Sequence, residues 1–546
     1  MEGISKSCSL WWQRGVIYQI YPRSFADANA DGVGDLLGIT SKLDYLAWLG
    51  IDAIWLSPIY PSPMADFGYD ISDYTAIHPM FGTLHDFDTL LAEAHQRHIK
   101  VILDYVPNHT SDQHPWFQES RSSLDNPRRD WYIWHDPAPD GGLPNNWLSV
   151  FGGPAWTFDK QTGQYYYHAH LPEQPDLNWH HPQVREAMLA ILRFWLDRGV
   201  DGFRVDALRH LLKDREFRDN PLNQGSGPRR GTFDTLSPLY TTDLPEVHEV
   251  MAELRRELDT YGVGGEDRLL IGELYLPINR LVRYYGEGNT GIHLPANFHL
   301  ISTPWDSDKI AQLITAYEAA LPLDSWPNWV LGNHDRSRLA SRIGEAQARV
   351  AAMLLLTLRG TPTLYYGDEL GMHDTDIPPE KIQDPVEKNL PGQGLGRDPE
   401  RTPMQWDATA NAGFCPSTVT PWLPVSSDYV TVNVTSERAA PASMLSLYRA
   451  LLTLRRAEPA FSIGDYISIE SDETNETNGH LLTYRRQWQD KSFLIVLNIG
   501  DEAQTLTTSA LRGHIVLTTA LDRQGEAVTE ELNLQGNEGV IVALQS

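Results

Sequence analysis

Four short stretches of this chain set carboxylates beside polar or cationic neighbours where runs of apolar residues come to an end. Val101–Val106 carries Asp104 and leads to Asn108 and His109. Gly202–Ala207 carries Arg204 and Asp206, Leu269–Tyr275 carries Glu273, and Asn328–His334 runs through Asn333 and His334 into Asp335. An isolated carboxylate in a protein interior is expensive. One such group is ordinarily a structural ion pair. Four clusters, interleaved with Arg204, His109 and His334, are better explained as a charged pocket for acid–base or nucleophilic chemistry.

Residues this far apart converge only if the elements carrying them share one end. Short β-rich runs alternate with helical patterns through most of the chain. Val16–Tyr21, Ala53–Ile59, Val101–Val106, Gly202–Ala207, Leu269–Tyr275, Ala296–Leu300, Asn328–His334 and Thr361–Tyr366 read as strands. Ile39–Leu49, Asp86–His98, Gln183–Arg198 and Met444–Arg456 have helical spacing. Such alternation predicts parallel βαβ units, and eight of them predict an α/β fold closed as a (β/α)₈ TIM barrel, whose strands all point their C-terminal ends at one face. The barrel is expected over residues 1–106 and 173–456. Residues 107–172, rich in Trp, Asp, Pro and Gly, are too long for a bare loop and read as a small inserted domain after the third strand. Residues 457–546, with strand-like runs at Leu481–Trp488, Phe493–Ile499, His514–Thr518 and Gly539–Leu544, read as a C-terminal antiparallel β-sandwich. Leu211–Pro245 and Gly371–Ser427 are long connections, expected at the functional rim.

Composition narrows the class of function. The chain has 546 residues, 41% of them hydrophobic, and a formal net charge of −28. Such a surface repels a phosphate backbone, so nucleic acid is excluded as a partner. No run approaches the ~20 apolar residues of a membrane span, and Met1–Trp12 does not read as a signal peptide. The two cysteines, Cys8 and Cys415, make neither a zinc site nor a disulfide framework. Idle thiols fit a reducing compartment, so a cytoplasmic protein is expected; a monomer or homodimer is expected separately. The 17 Trp residues suit carbohydrate stacking, although most are expected in the core or at its rim.

The four stretches resemble the four sequence regions of the α-amylase superfamily of glycoside hydrolases. Asp104-Tyr105-Val106-Pro107-Asn108-His109 resembles the first, Gly202–Asp206 the second, Gly272-Glu273 the third and Asn333-His334-Asp335 the fourth. Their order and spacing match over about the whole chain. Gln174-Pro175-Asp176-Leu177-Asn178 and Arg401-Thr402-Pro403-Met404-Gln405-Trp406 resemble the branch containing α-glucosidases and oligo-1,6-glucosidases. The resemblance implies that Asp206 is a nucleophile, Glu273 a general acid/base and Asp335 a third carboxylate clamping sugar hydroxyls. A retaining glycosidase needs two carboxyls about 5–5.5 Å apart in opposite protonation states. Arg204, two residues before Asp206 and on the same side of the pleat, is expected to keep it ionised.

The resemblance further implies that Asp66 grips the terminal 4-hydroxyl, making the enzyme exo-acting, and that Tyr69 lies beneath the sugar. Arg401 is the first choice as the partner of Asp66 and Arg397 the second. Phe151 either lines the pocket from the inserted domain or packs at its hinge. Ala207, after the nucleophile, goes with α-1,4 or broad substrates in related enzymes. The expected substrates are small α-glucosides of the maltose type, with transglucosylation as a side activity.

No cofactor is expected for catalysis. Asp27, Asn29, Asp31 and Asp35 bring oxygens together at a density that suits a hard cation, Ca²⁺ or Mg²⁺. The resemblance adds the Val33 carbonyl as a further ligand. The alternative is a cluster of Asx turns without metal. Three other functions share the scaffold: a transglucosidase or sugar isomerase with the same acids, an endo-acting amylase that Asp66 would block, and a transporter-associated subunit lacking the catalytic residues and carrying a membrane helix.

Overall fold

The structure, a computed structural model, describes residues 10–224, 232–262, 267–469, 475–476 and 480–545. Cys8 and the rest of residues 1–9 lie outside that set; Cys415 is a buried free thiol. Eight parallel strands close into a barrel in chain order: β1 (Ile17–Ile20), β2 (Ala53–Leu56), β3 (Lys100–Tyr105), β4 (Gly202–Val205), β5 (Leu269–Leu274), β6 (Leu294–Asn297), β7 (Asn328–Val330) and β8 (Thr361–Tyr365), with β8 pairing back onto β1. Both faces of each strand are covered, so the strands read as nearly unbroken apolar runs. Trp12, Ile17, Trp55, Ile102, Leu269, Ile271, Leu294 and Val330 fill the barrel interior, which is a packed core and not a pore.

Helices wrap the outside by burying one stripe each. Leu84–Gln96 starts at a capping box in which Asp86 N and Thr83 Oγ1, and Thr83 N and Asp86 Oδ2, satisfy one another. It buries Phe87, Leu90, Leu91 and Ala94. Pro182–Asp197 begins on a proline and buries Val184, Met188, Ile191, Leu192 and Trp195. The expected helix Ile39–Leu49 is two, Leu36–Ser41 and Leu43–Leu49, because Lys42 leaves the helical region with ψ of 2°. The expected sixth strand starts two residues earlier than its apolar pattern suggested, and His299–Ser302 is a helical turn. Gly202 is required where β4 meets β5, since a Cβ there would sit 2.4 Å from the Leu269 carbonyl oxygen.

Between β3 and Pro182 the chain forms the helix Pro115–Ser122 and a three-stranded antiparallel sheet of Trp134–His135, Gln164–Tyr167 and Trp156–Asp159. Its own small core gathers Ile133, Trp147, Ala155, Trp156, Tyr167 and Ala169. Bridges from His109 to Asp176 and from Tyr132 to Leu177 return the excursion to the barrel mouth.

The C-terminal strands make one seven-stranded antiparallel sheet. Leu482, Tyr484, Phe493, Ile495, Leu497 and Ile541 join the barrel's core, while Leu481, Leu494, Val496, Ile515, Val540 and Val542 form a separate cluster. Two buried arginines fasten this sheet. Arg455 donates to the carbonyls of Leu356 (3.0 Å), Gly360 (2.5 Å) and Phe461 (2.7 Å). Arg486 donates to those of Phe461 (3.1 Å) and Gly464 (2.9 Å), and to that of Thr357. Burial lowers both, Arg455 to about 10 and Arg486 to about 9. Among the described residues no helix is long and apolar enough to cross a membrane.

Candidate active site

The barrel mouth holds a cavity of about 480 Å³ on which Asp206, Glu273 and Asp335 all open, together with Asp66, Tyr69, His109, Phe151 and His334. Three acids, each more than sixty residues from the next in sequence, thus face one space. Asp206 follows the last residue of β4, and its N–H donates to the Tyr105 carbonyl of β3 at 2.8 Å. The next residue, Ala207, is left-handed (φ 48°, ψ 26°). That conformation costs an L-residue roughly 1–2 kcal/mol. It aims the Ala207 N–H at Glu273 Oε2, 2.8 Å away.

Arg204 ties the acids together. Its Nη1 lies 2.6 Å from Asp206 Oδ1 and 2.8 Å from Asp104 Oδ1, and its Nη2 lies 3.1 Å from Glu273 Oε2. One guanidinium therefore serves three carboxylates. Burial raises the Asp206 pKa well above the usual carboxylate range, and the charges of Glu273 and Asp104 add to this against the opposing pull of Arg204. Burial likewise lifts Asp104, to about 6. Arg204 was expected to keep Asp206 ionised. Its charge is divided three ways, so it offsets only part of what burial does to Asp206.

The sign of the resulting pH dependence is fixed. Below the raised pKa Asp206 is protonated and cannot attack; above it the carboxylate is free. The acid limb of kcat/KM is expected well above the ordinary Asp value of about 3.9. Asp104→Asn removes one like charge, so that limb should move to lower pH in a pH–rate profile.

Asp335 is held in the opposite way. Arg401 Nη2 reaches Asp335 Oδ1 at 2.8 Å and Arg397 Nη1 reaches the same oxygen at 3.2 Å. Burial alone would raise its pKa, but His334 and the two guanidiniums outweigh it and keep Asp335 far below the carboxylate range. The partner of Asp66 is Arg397, at 2.8 Å, and not Arg401. The reason is reach. Arg401 sits in the turn Pro399–Arg401 with its Nε already donating to the His334 carbonyl at 2.6 Å, so its fork ends on Asp335. Arg397 comes off the rim loop and spans Asp66, Asp335 and Asp384 (2.7 Å).

The remaining expected residues are present with particular partners. Tyr69 joins its hydroxyl to His334 Nε2 (2.7 Å) and Asp104 Oδ2 (3.1 Å), with the Tyr69 and His334 rings parallel to within 1°. His109 Nε2 lies 3.1 Å from the Tyr69 carbonyl and 3.1 Å from Gln174 Nε2, which also donates to Asp66 Oδ2 at 3.2 Å. Burial lowers His109 to about 4 and His334 to about 3, so both are neutral at physiological pH. Phe151 lies under the Arg397 guanidinium at 5.0 Å and lines the cavity. Lys213 contacts Asp176 and donates to Asn108 at 2.9 Å, locking the Gln174–Asn178 segment to the end of β3.

Sequence reasoning passed over Arg209, Tyr275, Arg336, His170, His210 and Phe233, which also line the cavity. Three of them carried a signal. Tyr275 has the strand parity of Glu273, Arg336 follows Asp335, and Arg209 lies one turn beyond Asp206.

The acidic loop after β1 is a chain of Asx turns. Asp27 accepts from Ala30 N (2.6 Å) and Gly32 N (2.8 Å), Asn29 from Asp31 N (3.0 Å) and Asp31 from Val33 N (2.9 Å). Asp35 is committed elsewhere. One oxygen caps Leu36–Ser41 through Gly38 N at 2.7 Å, and the other takes Ala28 N and Asn29 N. Among the described residues no group of three or more His, Cys, Asp or Glu draws into a metal-holding arrangement.

Comparison with known proteins agrees with this geometry. The alpha amylase catalytic-domain model matches residues 19–464. A probable alpha-glucosidase of Rhizobium meliloti is 41% identical over 94% of this chain and 95% of its own. An oligo-1,6-glucosidase of Heyndrickxia coagulans is 39% identical over 90% of this chain and 92% of its own. Among solved structures, the alpha-glucosyl transfer enzyme XgtA superposes with a TM-score of 0.90 at 38% identity, covering 98% of this chain and 100% of that one. The barrel, the three acids at its mouth and these relatives place the chain in the alpha amylase catalytic-domain family, as a glycoside hydrolase of the glucosidase type.

Proposed function

We propose that the protein is a retaining, exo-acting α-glucosidase that releases α-glucose from the non-reducing end of short, maltose-type α-glucosides. The observation that carries this reading is the meeting of Asp206, Glu273 and Asp335 on one cavity beside the Asp66–Arg397 pair. Asp206 and Glu273 rest on two nitrogens of the same guanidinium, a spacing in keeping with nucleophile and acid/base.

In the first step Asp206 attacks the anomeric carbon. The glycosidic C–O bond breaks as Glu273 gives its proton to the departing oxygen. In the second, Glu273 takes a proton from water, whose oxygen displaces Asp206 and restores the α configuration. Asp335, held ionised by Arg397 and Arg401, accepts sugar hydroxyls as positive charge develops on the ring. Asp66, buried against Arg397 and Gln174, closes the cavity over the terminal 4-hydroxyl, where a longer chain would have to continue. A neutral Ala207 side chain leaves room for α-1,4 substrates.

Transglucosylation as a side activity is supported by the likeness to an alpha-glucosyl transfer enzyme. A sugar competing with water for the same glucosyl-enzyme would produce it. A cytoplasmic location completes the proposal on the strength of the cysteine-poor composition. The decisive measurement is hydrolysis of maltose, isomaltose, sucrose, trehalose and maltotriose with the anomer followed by NMR. Maltose should be favoured or matched, and α-glucose should appear first. Early β-glucose, or isomaltose cleaved far faster than maltose, refutes the respective parts.

The donors of the loop after β1 suit a structural Ca²⁺ or Mg²⁺. With Asp35 capping a helix, Asp27, Asn29, Asp31 and the Val33 carbonyl would hold it. A divalent chelator is then expected to lower the melting temperature by several degrees with little effect on kcat at 25 °C, and Asp27→Ala to abolish that chelator sensitivity. Unchanged melting with chelator would leave the loop as Asx turns.

A further inference from the structure

Along the cavity, Asp66 already pairs with Arg397, Asp206 and Glu273 with Arg204, and Asp335 with Arg401. Two more arginines, Arg209 and Arg336, line the same space and pair with no carboxylate among the described residues. Arg209 donates through Nη1 to the Tyr275 carbonyl at 2.8 Å and through Nε to His210 Nε2 at 3.2 Å, both neutral groups. Its Nη2 has no protein acceptor among the described residues. Arg336 lies over the Tyr275 ring at 5.2 Å and enters no ion pair among the described residues.

Their placement says which part of a substrate they would meet. Tyr275 lies two residues past Glu273, and both arginines contact it. Glu273 is the group that protonates the departing oxygen in the reading above. The alcohol that leaves must therefore pass along the wall formed by Arg209, Tyr275 and Arg336. The sugar that stays is held on the other side by Asp335, Asp66 and Arg397. Burial pulls the Arg209 pKa down in spite of nearby Glu273, whereas Tyr275, Asp335 and Glu273 outweigh burial at Arg336 and raise it. Among the described residues, Asp234, exposed, is the one further carboxylate on the cavity wall.

We propose that the leaving-group side of this cavity is built for an anion: an α-glucoside whose leaving alcohol bears a carboxylate or phosphate, gripped by Arg209 and Arg336. A guanidinium offers parallel N–H donors that match either oxyanion, and charge-assisted pairs of this kind are about twice as strong as neutral hydrogen bonds. The chain carries a net charge of −28, so no long-range attraction draws an anion in. The preference has to arise by contact. The proposal rests on the glucosidase reading for its orientation, since that reading makes this wall the leaving-group side.

Two matched pairs test it. Maltobionate and maltitol share every atom except a terminal carboxylate in place of a hydroxymethyl group. α-Glucosyl glycerol 3-phosphate and α-glucosylglycerol differ only by phosphate. Calorimetric binding to the Asp206→Asn protein should favour the anion of at least one pair by about 10-fold. The favoured pair identifies the oxyanion. Arg336→Gln, an exposed substitution, and Arg209→Gln should each shrink that ratio, and the double variant should bring it near unity. Arg209→Lys and Arg336→Lys should retain part of it. A ratio at or below unity in both pairs, or one unmoved in Arg336→Gln, overturns the proposal. Hydrolysis of maltitol by the parent enzyme reports separately on the glucosidase reading. If maltitol binds but is not cleaved, that reading falls while the binding ratio still decides this one.

Discussion

Asp206→Asn is expected to reduce kcat on maltose by about 10⁵-fold or more, the largest loss any single substitution should produce. The carboxamide occupies the same volume beside Arg204 but has no negative oxygen with which to form the glucosyl-enzyme. The fold should survive, because the change removes a buried charge that Asp104 and Glu273 already oppose. Melting temperature is expected to hold or rise. The shorter Asp206→Ala leaves space for a small nucleophile. Azide should restore turnover there and give β-glucosyl azide, the product of one displacement. Near-normal turnover by either variant, in material free of parent enzyme, would falsify the assignment.

Glu273→Gln comes second in size and differs in kind. Loss of the general acid should slow maltose hydrolysis by about 10²–10⁴-fold. The penalty should depend on the leaving group. 2,4-Dinitrophenolate departs without a proton, so its α-glucoside should glucosylate the variant quickly and then wait for water that no base activates. A pre-steady-state burst should appear, and azide should now give α-glucosyl azide, the product of two displacements. The opposite azide stereochemistry of the two variants separates nucleophile from acid/base more sharply than any loss of rate. Equal losses on maltose and on the dinitrophenyl glucoside would remove Glu273 from the acid role.

The site was readable in the sequence as far as strand ends could be read. Asp104 and Glu273 are next to last in β3 and β5, Asp206 directly follows β4 and Asp335 comes five residues after β7, and closing the barrel does the rest. Apolar periodicity therefore located the acids without any knowledge of contacts. What it could not reach were long side chains arriving from irregular loops. Arg397 and Arg401 are four residues apart in a Pro/Gly-rich connection with no period to phase them. Which one meets Asp66 depends on a short turn that faces Arg401 towards His334. The sharing of Arg204 among three carboxylates was hidden for a related reason. Parity along β4 puts Arg204 and Asp206 together, but only the register with β3 and β5 adds Asp104 and Glu273. β6 was shifted because Pro295 and Asn297 interrupt its apolar pattern, while its pairing to β5 is set by neighbours on both sides.

The carbonyl-bound arginines at the base of the C-terminal sheet bear on how this enzyme can be recombined with its relatives. Arg455 ends the last barrel helix and Arg486 lies on a strand of the sheet, yet both donate to the Phe461 carbonyl and to the bend around Thr357–Gly360. A shuffling joint placed between them would pair a donor from one parent with acceptors shaped by another. Each mismatch would strand a buried positive charge. Productive crossovers should therefore avoid that interval, and the terminal module should travel only with the bend it is bolted to.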